Sequence, residues 1–340
     1  MSNFLTRDNL LLSEPVVPIV NRLRAVNCTQ IVSWLDPIVA TCIDPSVRAL
    51  ILAATSANTR RAYRSDLKHF LSWGGEVPAS PMLIAQYLAR YAAELSVATL
   101  RRRIVAIGRA HAAQNILNPC ETEVVRLAFQ GIRRTYGRPQ RRVKALTKEH
   151  LVKITALLGD SVRDIRDLAL LLIGFGGAFR RSELSAVDCT AVSSSPEGIV
   201  VTLRKSKTDQ EGEGRSILIS YDHGLLCPVR ALQRWKAISE ISAGPIFRPI
   251  DRFGHIGCAR LSSEAIALIV KKRVAAAGFD ASHFSGHSLR AGYVTSAVQS
   301  GVPTYRICRQ TGHASDQMLS RYIRDDEMPH LAAGSRRIVP

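Results

Sequence analysis

Two hydrophobic rhythms run along this chain, and one gives way to the other near residue 145. Over residues 51–135 the apolar positions recur three and four apart. In "NTRRAYRSDLKHFLSWG", Tyr63, Leu67, Phe70 and Leu71 fall at i, i+4, i+7 and i+8, one face of an amphipathic helix, while the arginines fall mostly on the other. "SPMLIAQYLARYAAE" and "SVATLRRRIVAIGRAHAAQN" repeat the arrangement, with Ser80 and Ser96 as N-caps and Pro81 at a first helical position. A short fourth helix is predicted over "ETEVVRLAFQGIRRTYG". The stretch "YGRPQRRVKAL" (136–146) breaks the period with Gly137 and Pro139 and reads as a linker.

Beyond Leu146 the pattern is mixed. "TKEHLVKITALL" and "VRDIRDLALLLIGFGGAF" are helical, whereas "GIVVTLRKSK" and "GRSILIS" alternate like strands around the polar turn "TDQEGEG", which predicts a hairpin. "CPVRALQRWKAI", "LSSEAIALIVKKRVAAAG" and "GHSLRAGYVTSAVQSG" return to helix. The fold class is therefore mainly α with a small β-sheet. Its expected segments are a partly helical stretch without an assigned role (1–50), a helical domain with arginine-rich faces (51–135), a basic linker (136–145), a second domain (146–325) and a tail (326–340).

Charge sharpens this picture. The chain of 340 residues carries a net charge of +18, which favours a polyanionic partner, and nucleic acid is the usual one. Residues 51–145 hold sixteen Lys and Arg against five Asp and Glu, a net +11. Arg60, Arg61, Arg64, Arg101, Arg102 and Arg103 are the candidate DNA contacts on the helices, and Arg138, Arg141 and Arg142 are those on the linker, which can cross a phosphate backbone. No membrane partner is expected: the longest apolar stretch, 168–179, is too short to span a bilayer and ends in Arg180 and Arg181. The first twenty residues lack the pattern of a signal peptide, and seven cysteines without paired spacing point to reduced thiols in a cytoplasm.

The chemistry-bearing residues lie in "GAFRRSEL", "RKSKTD", "GHSLRAG", "TGHAS" and "RYIR". Each is unremarkable alone, since Arg180 could be a surface residue and His287 with Arg290 a structural pair. In this order they resemble the tyrosine recombinases of the phage-integrase family, which include Cre-like and Xer-like enzymes. That pattern is Arg with Glu three residues on, a hairpin Lys, His-x-x-Arg, Gly-His or Gly-Trp, then Tyr. Here it is met by Arg180 and Glu183, Lys207, His287 and Arg290, Gly312 and His313, and Tyr322, nine residues after His313. The resemblance spans about residues 50–325. It implies a SAM-like core-binding domain and an α+β catalytic domain that form a C-shaped clamp on DNA. It also implies double-stranded DNA with an inverted-repeat site, a homotetramer on synapsed DNA and accessory DNA-bending proteins as partners.

Elementary chemistry agrees with the pattern. A phosphodiester repels nucleophiles, and its leaving alkoxide is a strong base, so the transition state needs charge neutralisation and a proton donor. Arg180 and Arg290 suit the first task, with Glu183 bracing Arg180; His287 and His313 add donors, and neutral His287 can accept the phenol proton. Lys207, preferred to Lys205 because "KSKT" fits the hairpin pattern, is the general acid. Tyr322 is the nucleophile, and its covalent phosphotyrosine conserves the bond energy, so neither ATP, cofactor nor metal is required. Tyr305 is expected in the core; Pro303 should start the helix that contains it, and Gly312 should end that helix with a left-handed cap. "GFGGAF" is expected to be a close-packed helix end. The rival readings are a type IB topoisomerase-like activity and a DNA-binding protein without chemistry.

Overall fold

The computed structural model describes residues 44–139, 143–203, 214–222, 224, 226–313 and 319. The chain divides into two compact units, Met1–Gln140 and Arg141–Pro340.

The first unit holds α1 (Pro45–Ala53), α2 (Ala57–Ser72), α3 (Pro81–Arg90), α4 (Val97–Ala112) and α5 (Glu123–Tyr136). Helix α1 crosses position 50, where the sequence pattern placed a boundary. Ser80 accepts from the Leu83 N–H at 3.2 Å and Ser96 from the Thr99 N–H at 3.1 Å, so both expected N-caps are in place. Helix α2 packs on α4 and α3 on α5. Their apolar stripes merge around Leu67, Phe70, Ile84, Leu100 and Ile107. Tyr63, expected on the same buried face, is half-exposed, with the Arg109 guanidinium over its ring.

The second unit is built round α7 (Val162–Gly176), which is preceded by α6 (Lys148–Thr155) and followed by the short α8 (Arg181–Ala186). Three antiparallel strands follow, β1 (Val192–Ser195), β2 (Gly198–Leu203) and β3 (Arg215–Ser220), in the order β1-β2-β3. The expected hairpin is β2–β3, with Val201 opposite Ile217 and Leu203 opposite Arg215. Strand β1 was not expected, because "VSSS" offers no apolar alternation, and the ladder to β2 holds it instead. Helices α9 (Pro228–Ser239), α10 (Ser263–Ala276), α11 (Ser288–Gln299) and α12 (Thr304–Thr311) complete the unit. Helices α9 and α11 both pack on α7, and the core gathers Leu170, Phe179, Val201, Trp235, Val270 and Leu289.

Helix α7 ends as a close-packed turn. The Phe179 N–H donates to the Gly174 carbonyl and the Ala178 N–H to that of Phe175, leaving Ala178 in the left-handed region at φ 49°. A Cβ on Gly174 would come within 2.9 Å of both Leu184 and Leu289. Helix α12 follows Pro303 and is stopped by Gly312 at φ 67°, ψ 42°, as expected. Tyr305 is a correction: it is 64% exposed, because Ile307, not Tyr305, lies on the buried face of α12. No helix among the described residues is long and apolar enough to cross a membrane.

Candidate active site

Four of the expected catalytic residues converge in the second unit, each delivered by a chain feature that fixes it. Arg180 directly precedes α8, where its backbone N–H donates to Glu183 Oε2 at 2.9 Å and its Nη1 to Oε1 at 2.6 Å. Glu183 is buried, so its charge is spent on Arg180 from both sides of the turn. His287 precedes α11, with its N–H donating to Ser285 Oγ at 3.1 Å. The loop before it comes close to α8, since a Cβ on Gly286 would lie 3.1 Å from Arg181 Cβ. Arg180, Arg181, Ser182, Ser285 and His287 thus line one open cleft of about 440 Å³, ample for a phosphodiester.

Arg290, one turn along α11 from His287, is fully buried. Its Nη1 donates to the Ala178 carbonyl at 3.0 Å, so the left-handed turn after α7 orients this guanidinium. Its Nη2 meets His313 Nε2 at 3.0 Å. A guanidinium only donates, so Nε2 accepts and the His313 proton resides on Nδ1. That proton goes to Thr311 Oγ1, 2.8 Å away, while the Thr311 hydroxyl donates to the Ile307 carbonyl at 2.6 Å. In this arrangement both ring nitrogens of His313 are engaged, Nε2 with Arg290 and Nδ1 with Thr311.

Both imidazoles are kept neutral. Burial, followed by Arg290, Arg180 and Arg181, lowers His287 to about 4. Burial, followed by Arg290, Arg180, His287 and Arg215, lowers His313 to about 3. A buried cationic cluster that suppresses further positive charge is one arranged for an anion.

Lys207, its neighbour Lys205 and the nucleophile candidate Tyr322 lie outside the described residues, as do Arg141 and Arg142. Leu319, three residues before Tyr322, is buried with Val294, Ala297 and Ile307. Two residues at the site escaped the pattern. Thr311 looks like an ordinary helical position. Arg215 shares the inward face of β3 with Ile217 and Ile219, so a period of two carried through the strand would have flagged it as an inward cation.

The candidate DNA contacts of the first unit fare unequally. Arg61, Arg64, Arg101 and Arg138 are exposed, with Arg61 Nη1 donating to Asn58 Oδ1 at 3.1 Å. Arg60 is turned onto the Leu52 and Thr55 carbonyls. Arg102 makes a bidentate pair with the buried Asp66, at 2.6 and 2.9 Å. Arg103 is a correction: it is buried, donating to Tyr87 Oη at 2.8 Å and His69 Nδ1 at 2.9 Å, and is part of the core rather than of a DNA face.

Comparison with known proteins accounts for most of the chain. The phage integrase family matches residues 144–328, and the N-terminal SAM-like domain of phage integrases matches residues 47–113. An integrase/recombinase XerD homolog of Selenomonas ruminantium is 39% identical over 276 residues, covering 78% of this chain and 81% of its own. Recombinase Cre of Escherichia phage P1 is 23% identical over 268 residues, covering 73% and 77%. Among solved structures, XerH recombinase bound to difH after cleavage superposes with a TM-score of 0.60 at 15% identity, over 91% of this chain and 89% of that one. A λ integrase tetramer on a Holliday junction gives 0.57 at 18% identity, over 88% and 77%. The chain belongs to the phage integrase family and is a site-specific tyrosine recombinase.

Proposed function

We propose that this recombinase cuts and rejoins DNA through a covalent 3′-phosphotyrosine on Tyr322, with Arg180, Arg290, His287, His313 and Lys207 as its catalytic set. The observation that carries the reading is the convergence of Arg180, the His287–Arg290 pair and His313, from three separate segments, on one cationic cluster beside an open cleft, with both imidazoles held neutral. In the forward step the Tyr322 oxygen bonds to phosphorus, and the bond from phosphorus to the 5′ oxygen breaks. Neutral His287 accepts the phenol proton, and the Lys207 ammonium gives one to the departing 5′ oxygen. Arg180 and Arg290 carry the charge that accumulates on the non-bridging oxygens, where preorganised guanidinium donors are most effective. His313, itself held by Thr311, keeps Arg290 in place. Rejoining is the reverse, with a 5′ hydroxyl as nucleophile.

The substrate is double-stranded DNA with an inverted-repeat site, gripped by residues 51–135 through exposed arginines such as Arg61, Arg64 and Arg101. The catalytic domain is residues 146–325, and the working assembly is a homotetramer on two synapsed duplexes, which accessory DNA-bending proteins can order. The XerH structure is bound to its difH substrate and the λ integrase structure is a tetramer on a Holliday junction; the same kind of complex is assigned to this chain. Its place of action is the cytoplasm.

The test is Tyr322→Phe, assayed on DNA carrying inverted-repeat sites. The variant should bind DNA with unchanged affinity and form no covalent adduct on a denaturing gel, while the parent yields recombinants. An adduct that persists in the variant would show another phenol to be the nucleophile. A parent that only relaxes supercoils, or only shifts mobility, would favour the topoisomerase-like or the purely DNA-binding reading.

A further inference from the structure

Arg215 opens β3 opposite Leu203, where the hairpin ladder ends. It is an expensive residue to keep there. Its guanidinium is mostly buried, and no described residue accepts a hydrogen bond from Nε or Nη1. Bare buried donors are destabilising by roughly 1–3 kcal/mol each, so stability alone does not explain an arginine at this position. Its one ionic partner among the described residues is telling. Nη2 lies 3.5 Å from Glu183 Oε2, the oxygen that also receives the Arg180 backbone N–H. The other face of the guanidinium rests against Gly312: a Cβ there would lie 2.2 Å from Nη1 and 2.9 Å from Cζ. Arg215 therefore touches both the carboxylate that braces Arg180 and the turn that delivers His313. Arg180 pushes against it electrostatically, and it contributes to holding His313 neutral.

We propose that Arg215 is a positioning residue for DNA cleavage, a strut from the β2–β3 hairpin that sets Arg180 through Glu183 and seats the Gly312–His313 turn. The proposal rests on Arg180 being the catalytic arginine. Glu183 alone holds Arg180 at two points, but on the Oε2 side only the Arg180 N–H and Arg215 are present among the described residues. With Arg215 gone, the carboxylate can rotate toward Arg180, and the Arg180 guanidinium moves with it. Displacement by a fraction of an ångström is enough to slow chemistry while DNA binding, made elsewhere, is unaffected.

The experiment is a double-mutant cycle on single-turnover adduct formation with full-length protein at saturating DNA. Arg215→Ala should slow cleavage by about 10–100-fold, as misplacement of a reacting group does, without weakening DNA affinity. Glu183→Gln should slow it comparably, and Glu183→Gln with Arg215→Ala should be within about threefold of Glu183→Gln alone, the non-additivity of two residues on one path. Arg215→Lys, which restores a cation beside Glu183, should recover much of the loss, and with Arg215→Gln it carries the test if Arg215→Ala does not fold. Losses that multiply, an Arg215→Ala enzyme as fast as the parent, or a lysine variant no better than alanine would each overturn the proposal. Arg180→Ala serves as the reference: full activity in that variant would overturn the site assignment itself, whereas a slow Arg180→Ala beside an unimpaired Arg215→Ala would overturn only the role of Arg215.

Discussion

Gly312→Ala tests, in one residue, whether the cap of α12 and the packing of Arg215 are both as tight as they look. Two costs add there. The first is backbone strain, because alanine at φ 67° occupies the left-handed region at a cost of roughly 1–2 kcal/mol. The second is steric, because the new methyl would sit 2.2 Å from Arg215 Nη1, and overpacking of this kind costs about 1–3 kcal/mol. Gly301 supplies the control: it has φ 72° and nothing within 4 Å of a built Cβ, so Gly301→Ala should show the strain alone. In a unit of about 200 residues a kcal/mol moves Tm by roughly 2–4 °C. Gly301→Ala should thus lower Tm by a few degrees, and Gly312→Ala by about twice as much or more. Adding Arg215→Ala to Gly312→Ala removes the obstacle and should return the excess but not the strain. Thermal unfolding of the four proteins decides the matter. A Gly312→Ala protein no less stable than Gly301→Ala, or an excess that survives removal of Arg215, would refute the reasoning.

Three further outcomes are expected. Lys207→Ala should slow cleavage of ordinary DNA by roughly 10²–10⁴-fold, the range of a general acid, and regain most of that rate on DNA whose scissile 5′ bridging oxygen is replaced by sulfur, because a thiolate leaves without a proton; rescue seen with Lys205→Ala instead would move the role to that residue. Arg101→Ala should flatten the salt dependence of DNA affinity, since it releases fewer counterions on binding, whereas Arg103→Ala should leave that slope and instead destabilise the first unit by about 1–3 kcal/mol through the lost buried hydrogen bond to Tyr87 and the lost ion pair with Asp66, as salt titrations and unfolding curves would show. Because His287 and His313 are lowered to about 4 and about 3 in the folded chain, the unfolded chain takes up protons first on acidification; stability from these two groups is full above pH 6.5 and falls as pH drops toward 4 and below, and His287→Gln should make the acid limb of a Tm–pH profile shallower.

Much of this recombinase is written in local pattern. The helices of the first unit are legible because Leu67, Phe70 and Leu71 recur at helical spacing and Ser80 and Ser96 cap their own helices, both short-range effects. The same holds for α12, where Gly312 alone can take the conformation that stops the helix and turns the chain at His313. The order Arg180, Glu183, His287, Arg290, His313 is likewise visible, because it follows the pattern of the phage-integrase family, with which the chemistry of a phosphodiester agrees. What periodicity reports is the side of an element that turns inward, not the atom it meets there. Three neighbouring arginines, 101 to 103, look alike in sequence; only packing against Tyr87, His69 and Asp66 separates an exposed one from a buried one. The hydrogen bond from Arg290 to Ala178 joins residues 112 apart, and the one from Arg290 to His313 sets which imidazole nitrogen carries the proton. Such contacts leave no local signature, since each partner is an ordinary residue in its own segment. The order of the candidate catalytic residues is therefore read along the chain, while the protonation and orientation of those the structure describes, and the strut proposed at Arg215, were decided only when distant segments closed on one another.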